Sequence, residues 1–429
     1  MVGLPVPEIV APGGRPRGEG ADPVLLAAAW SLCRTPHPSA RAPLAALSES
    51  PAPGLRFFGV LGLALLGDKS ASPVVGRVLA SNEAGPLPRA AAAFAAGQLG
   101  LTQLANQLAE LTDSANPELA KTALIALSRL KTEVAAERIA VALLSGNADA
   151  RPATRAAALV LATGSYRRSG PWLPIPNGEL DLNSVLAGLT PDAYDAAAER
   201  QALTRLSGPL EVSAERAVRS SPEAARSVVE ALTGDNERPP FATLLQRASA
   251  DPEARRDAER LAEQLARRVV TPLVALAEHP AEDVRSFALA FLARRQEPNA
   301  VRAVVAAVED GNPVVRRAAF AVLRPWHNAA APRLIASSRA VDWSERAAAV
   351  DALGRIVRGS DPPEALRRLT EAASEDPTAL VRETALVSLF RAAPNEARAT
   401  VTRARDSDPE LHVRQAAAAL LRAAPNSQR

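Results

Sequence analysis

An all-α architecture is expected from this sequence, specifically an α-solenoid: a superhelical array of antiparallel helix pairs with an irregular, interrupted middle. Three observations carry that expectation. A phrase recurs, as "DGNPVVRRAAFAVL" at 310–323, "EDPTALVRETALVSL" at 375–389 and "SDPELHVRQAAAALL" at 407–421. The arginines heading successive phrases, Arg285, Arg316, Arg346, Arg382 and Arg414, are 31, 30, 36 and 32 residues apart, a period typical of stacked helical repeats. Finally, apolar residues make up 47% of the chain but aromatics only 3%, so the core rests on Ala, Leu and Val, which suit close-packed helices better than a β-sandwich.

Each letter of the phrase has a physical role. Asn312, Asp376 and Asp408 are good helix N-caps, and the prolines that follow them fit the first turn, where a missing N–H costs nothing. From that start Val315, Ala319, Val322 and Leu323 fall on one helical face, as do Val381, Ala385, Leu386 and Leu389. Small Ala at mid-helix admits the neighbouring repeat. The arginine after each valine can reach the cap carboxylate of an adjacent repeat, making a ladder of pairs. Val284, Arg285, Val315, Arg316, Arg346, Val381, Arg382, Val413 and Arg414 are therefore expected to be structural positions. A second amphipathic segment, such as "EALRRLTEAASE", precedes each phrase, so each unit is a helix pair that shares its core with the next. In the N-terminal part Arg56, Arg89, Lys121 and Arg155 head comparable segments at intervals of 33, 32 and 34.

The pattern "DP-x-x-x-VR-x-x-A-x-x-x-L", from Asp376 to Leu389 and from Asp408 to Leu421, resembles the HEAT repeat, particularly the short bacterial form. The resemblance implies a helical solenoid and, by itself, no activity. It divides the chain into a flexible segment 1–21, HEAT-like repeats 22–164, a loop and divergent helical segment 165–269, HEAT-like repeats 270–424 and a tail 425–429. Between Arg155 and Arg285 the phrase fails, and "GSYRRSGPWLPIPNGELDLNSVLAGLTPDAY" stands in its place. Such a loop either protrudes and binds through Tyr166, Arg167, Arg168 and Trp172, or belongs to two diverged repeats with Trp172 covering a core edge. The charge-rich stretch "DPEARRDAERLAEQLARR" beyond it reads as a solvated helix.

Several function classes find no support in the letters. His37, His279, His327 and His412 form neither a His-Glu pair nor an i, i+4 couple, so no metal is expected. That counts against a resemblance to deoxyhypusine hydroxylase, a HEAT-like di-iron enzyme whose repeats carry His-Glu ligands. No phosphate-binding loop and no nucleophile elbow is present, so no catalytic residue and no cofactor is assigned and the chain is expected not to be an enzyme. A resemblance to phycobilin lyases covers only the repeat scaffold. The single Cys33 excludes an internal disulfide framework and, preceded by Leu32, does not sit in a lipidation context. No apolar run is long enough for a membrane span, and the cytoplasm is the expected compartment.

The net charge is +3. Lysine occurs only at Lys69, Lys121 and Lys131, so the abundance of arginine reads as a coding bias and not as selection for phosphate. The leading expectation is a non-catalytic scaffold or adaptor that holds a protein partner on a concave face built by the second helices, with Arg317, Trp326 and Trp343 in the groove. Nucleic-acid binding of the kind found in HEAT-like DNA glycosylases stands as the alternative, because the arginine row could face a duplex.

Overall fold

The computed structural model describes residues 23–35, 37–145, 151–166, 185, 191, 194–233, 238–357 and 362–423. Among them the regular structure is helical throughout. The expected segment 1–21 and the tail 425–429 lie outside these residues, as do Arg167, Arg168 and Trp172. The chain divides into two compact units, residues 1–267 and 268–429.

Unit 1 contains α1 (Pro23–Arg34), α2 (Arg41–Ser48), α3 (Pro53–Leu65), α4 (Ser72–Ala80), α5 (Pro86–Leu99), α6 (Ala105–Leu111), α7 (Pro117–Leu130), α8 (Glu133–Leu144), α9 (Arg151–Thr163), α10 (Ala196–Ser220) and α11 (Pro222–Leu232). The division between units falls within α12 (Pro252–Leu276). Helices α3, α5, α7 and α9 stack in one layer, and α2, α4, α6 and α8 pair with them from the other side. Proline stands in the first turn of α3, α4, α5 and α7, and Asn116 caps α7 by accepting the Leu119 N–H. The layer is tight because small residues meet. A Cβ on Gly97 of α5 would lie 2.8 Å from the Cα of Ala126 in α7. At the end of α5, Gly100 adopts φ 69°, a left-handed conformation that glycine enters without a Cβ penalty.

In unit 2 the second helices of the repeats are α13 (Glu282–Leu292), α15 (Pro313–Val322), α17 (Trp343–Ile356), α19 (Ala379–Ala392) and α21 (Leu411–Ala423). Each packs on the next. The first helices are α14 (Pro298–Ala306), the 3-10 turn Pro325–Ala330 running into α16 (Ala331–Ser337), α18 (Pro363–Glu375) and α20 (Pro394–Ser407). Val315, Val381 and Val413 are wholly buried, with Ala319, Ala385 and Ala417 beneath them. One turn further on, Leu386 and Leu389 of α19 are buried as well.

One detail of the helix starts corrects the sequence reading. Asn312 does cap α15, accepting the Val314 N–H at 2.7 Å. Asp376 and Asp408, however, are not caps: α19 and α21 begin at Ala379 and Leu411, two residues beyond Pro377 and Pro409. Each Asp instead closes a turn by accepting the N–H two residues on, Thr378 or Glu410, at 2.9 Å. Asp310 does the same with Asn312 at 2.8 Å. The aspartate that corresponds to Asp376 and Asp408 is therefore Asp310, and Asn312 corresponds to Thr378. In every repeat the second helix starts three residues before the ladder arginine, so an aspartate six residues before that arginine falls two residues ahead of the N-cap position.

Candidate interaction surface

The recurrent arginines of unit 2 form a one-directional ladder. Arg285 Nε and Nη2 donate to the two oxygens of Asp310 at 2.9 and 3.0 Å. Arg316 binds Glu345 in the same way, with both bonds at 3.0 Å, Arg346 binds Asp376 at 2.8 and 2.9 Å, and Arg382 binds Asp408 with both at 2.9 Å. The remaining nitrogen, Nη1, donates to backbone carbonyls six and five residues back: His279 and Pro280 for Arg285, Asp310 and Gly311 for Arg316, Ala340 and Val341 for Arg346, Asp376 and Pro377 for Arg382. Each guanidinium thus ties its own turn to the carboxylate of the following repeat, a fork-to-fork geometry that lysine could not supply.

The electrostatics follow. The Arg382 bonds hold the Asp408 carboxyl below the usual carboxylate range despite its burial. Burial opposes ionisation of Asp376, but the Arg346 fork and the Thr378 N–H outweigh it and its value is lowered. Glu345 was invisible to sequence reasoning as a rung. Ala340 occupies the position held by aspartate in the other turns, and the carboxylate is supplied instead from the first turn of α17.

In unit 1 the corresponding residues do not continue this pattern. Arg56 and Arg89 donate through Nε to the carbonyls of Ser50 and Leu79, and Lys121 pairs with Glu118 in its own helix. Arg155 reaches Glu199 of α10. Glu199 is fully buried, and its oxygens also accept the Arg247 N–H at 2.8 Å and the Ala248 N–H at 2.7 Å, fixing the 3-10 turn Ala248–Ala250. Around Arg200, Asp251, Glu253 and Asp257 neutralise the guanidinium. The α12 face is thus self-compensated.

Tyr166 is half-buried, with the Arg129 guanidinium 4.8 Å from its ring centroid. Burial lowers the Arg129 value, while Tyr166 and Tyr194 oppose that shift. Tyr194 is buried and donates its hydroxyl to the Ser165 carbonyl at 2.7 Å, so both tyrosines secure the end of α9.

The three expected groove residues separate into two places. Trp343 opens α17 and is about half exposed, and its neighbour Asp342, the N-cap, lies 3.9 Å from Arg317. Trp326 is at the opposite edge of the stack, at the start of the 3-10 turn that leads into α16. The 3-10 turn, bent at His327, and α16 lie between the two tryptophans, so Trp326 stands at the start of this first helix and Trp343 beyond its end. Trp326 packs its ring 5.7 Å from that of His327. His327 is wholly buried and accepts the Arg324 N–H on Nδ1 at 2.9 Å; burial lowers its value.

What the structure does bring together is an apolar row not read from the sequence. Val314, Trp343, Leu380 and Leu411 each lie in the first turn of a second helix, and all are about half exposed. Val341, in the turn before α17, is fully exposed. Because α15, α17, α19 and α21 run in the same direction and stack in order, these first turns line one edge of unit 2. Adjacent helices about 10 Å apart spread the row over ~30 Å. Its only sequence signal is an apolar letter two or three residues before the ladder arginine, which periodicity had already assigned to the helix start.

Other chemistry is sparse. Among the described residues no three His, Cys, Asp or Glu side chains gather as metal ligands, and no helix is long and apolar enough to cross a membrane. Cys33 is buried, donates to the Phe58 carbonyl at 3.1 Å, and its thiol is pushed up to about 12 by burial.

No protein-family model matches the chain, and no curated protein does so. Solved structures do. Human deoxyhypusine hydroxylase in complex with glycerol is similar with 18% identity and a TM-score of 0.27, over 87% of this chain and 91% of that one. A mutant of the karyopherin Kap121p is similar with 14% identity and a TM-score of 0.37, over 94% of this chain and 44% of that one. Kap121p bound to the SUMO protease Ulp1p is similar with 12% identity and a TM-score of 0.33, over 93% and 54%. The chain spans about half the length of the karyopherin chains it matches.

Proposed function

We propose that this protein is a non-catalytic helical-repeat scaffold of the HEAT type that holds another protein along the first-turn edge of unit 2. The observation carrying the reading is the row Val314, Val341, Trp343, Leu380 and Leu411. Apolar side chains recurring at the starts of successive second helices favour an extended polypeptide, which meets many weak sites in order. The ladder supports the same reading from the opposite direction. Arg285, Arg316, Arg346 and Arg382 are each forked onto a carboxylate, so the arginine row that could have faced a duplex is neutralised within the protein. Arg317 and Trp343 belong to this edge; Trp326 does not.

The test is affinity purification of the tagged protein from its own organism, with and without nuclease, alongside an L380S/L411S variant of unchanged helix content. Recovery of one protein in stoichiometric amount despite nuclease, and its loss with the variant, supports the reading. Recovery of nucleic acid alone, in amounts that fall steeply with salt, removes it in favour of the duplex-binding alternative.

A further inference from the structure

Unit 2 carries a second arginine series at the far end of its second helices. Eight or nine residues after Arg285, Arg316, Arg346 and Arg382 stand Arg294, Arg324, Arg355 and Arg391. Two of these are taken up inside the protein: Arg355 and Arg391 both meet Asp351, and Arg355 also donates to the carbonyls of Phe320, Ala321 and Leu323 at the end of α15. Arg294 and Arg324 are exposed, and no carboxylate of the described residues pairs with either. Arg302, also exposed, leans back toward the same end, its Nε 3.4 Å from the Pro298 carbonyl. Over residues 293–303 and 321–329 the one acidic residue is Glu297, and Arg295 already holds it at 2.7 and 3.2 Å. Trp326, 38% exposed, stands beside these charges, because the turn that carries it follows Arg324 and packs on α14. The buried His327, accepting the Arg324 N–H, pins that turn. Every other exposed large apolar side chain described in unit 2 belongs to the first-turn edge.

We propose that this last-turn edge of α13 and α15 is a docking site for single-stranded nucleic acid, with Arg294, Arg302 and Arg324 contacting phosphates and Trp326 offering an aromatic surface on which a base stacks. The guanidinium stays charged at physiological pH. Neither a carboxylate nor the helix end offsets Arg324, since Arg355 already occupies the last carbonyls of α15. Arginine in place of lysine follows the coding bias, but the lack of any unclaimed acid over two successive inter-helix turns does not. Adjacent second helices lie about 10 Å apart, so one short strand reaches Arg294 and Arg324 together. Positive charge with one aromatic platform and few aliphatic neighbours is the composition of a single-strand site, where every base supplies a face that can stack. An acidic polypeptide would find Trp326 as its sole apolar anchor. A membrane surface would gain one indole to insert. A duplex keeps its bases stacked inside and would use the arginines alone.

The site lies at the opposite end of the second helices from the apolar row and shares no residue with it, so it stands apart from the proposed function. The test uses the full chain, freed of nucleic acid, and the fluorescence anisotropy of a labelled oligothymidylate of about twelve nucleotides, titrated at several salt concentrations. The expected result is binding that weakens as salt rises. R294Q/R324Q should lower affinity about tenfold and reduce the slope of log affinity against log salt by about 1.4, the contribution of two single-strand phosphates. The charge-matched control R205Q/R256Q, at exposed arginines of unit 1, should leave most of the affinity in place. W326L should lower affinity roughly tenfold, and W326F, which keeps a ring beside His327, clearly less; circular dichroism checks that each variant retains its helix content. No binding at low salt, equal losses in the two double variants, or a W326L protein that binds as well as its parent overturns the proposal. A duplex of the same sequence bound as tightly as the strand also overturns it, since the site would then answer to charge alone. So does polyglutamate that displaces the strand at equal charge, which would make the occupant an acidic polypeptide.

Discussion

Arg382 and Asp408, 26 residues apart, meet through two parallel hydrogen bonds of 2.9 Å, with only 9% and 6% of their side chains exposed. Removing one partner of so enclosed a pair leaves the other charge buried without compensation. R382A is therefore expected to destabilise unit 2 by about 3 kcal/mol, and D408N by a similar amount. The double variant should be less harmful than the sum of the two, a non-additivity that urea unfolding would reveal.

Acid should weaken unit 2 in two separate windows. His327 is buried and its value lowered, so the unfolded chain takes up a proton that the folded one refuses, and stability begins to fall as pH drops through about 6.5. Asp376 and Asp408 have lowered values. Their contribution is fully present above the unfolded value of about 3.9 and is lost as pH falls through the folded values. Melting between pH 8 and pH 3 should show both steps, with H327F removing the first and R382Q reducing the second.

Gly97 faces Ala126 so closely that an added Cβ would sit 2.8 Å from a backbone Cα. Nothing there can rotate away, so α5 and α7 must separate. G97A is expected to cost about 1–3 kcal/mol by overpacking, visible as a lowered midpoint in thermal unfolding, whereas alanine at Gly208, which has nothing within 4 Å, should lose only a small fraction of that.

With its value pushed up to about 12 and its side chain enclosed, the Cys33 thiol is almost wholly protonated at pH 8. Iodoacetamide should label it at a rate set by opening of α1 and reach the ordinary rate of a free thiol only in denaturant. Mass spectrometry of labelled protein reads this directly.

Serine at Leu380 and Leu411 should change the melting midpoint little, since both side chains are already about half in solvent. Serine at Val381 or Val413, one and two residues away and wholly buried, should unfold the local repeat. Circular dichroism on the four single variants separates a surface role from a core role.

Much of the scaffold was legible because it depends on local letters: valine and alanine at helical spacing and arginine after valine, whereas of the three prolines read as first-turn residues only Pro313 lies in its helix. The pairing of that arginine with a carboxylate was also legible as a possibility. Its geometry was not, because the sequence does not show that the second helix starts at Ala379, which leaves Asp376 two residues ahead of the cap and facing Arg346 of the preceding repeat. Glu345 was missed for the same reason, since a glutamate in a helical first turn gives no sign of substituting for an absent aspartate. The placing of Trp326 and Trp343 failed on direction. Composition marks both as large and aromatic, but only the alternation of antiparallel helices shows that they open helices of opposite sense.

The ladder is indifferent to how many repeats the array contains. Each arginine reads only its own turn and the carboxylate that follows, so joining Arg346 directly to Glu383 would carry it into the place of Arg382, with Asp408 waiting for it. Repeat number is then a quantity that gene duplication or excision can alter in whole steps without leaving a stranded charge, provided the cut falls at the same letter of the phrase. Array length becomes an evolvable dimension, while the chemistry at each joint is inherited unchanged.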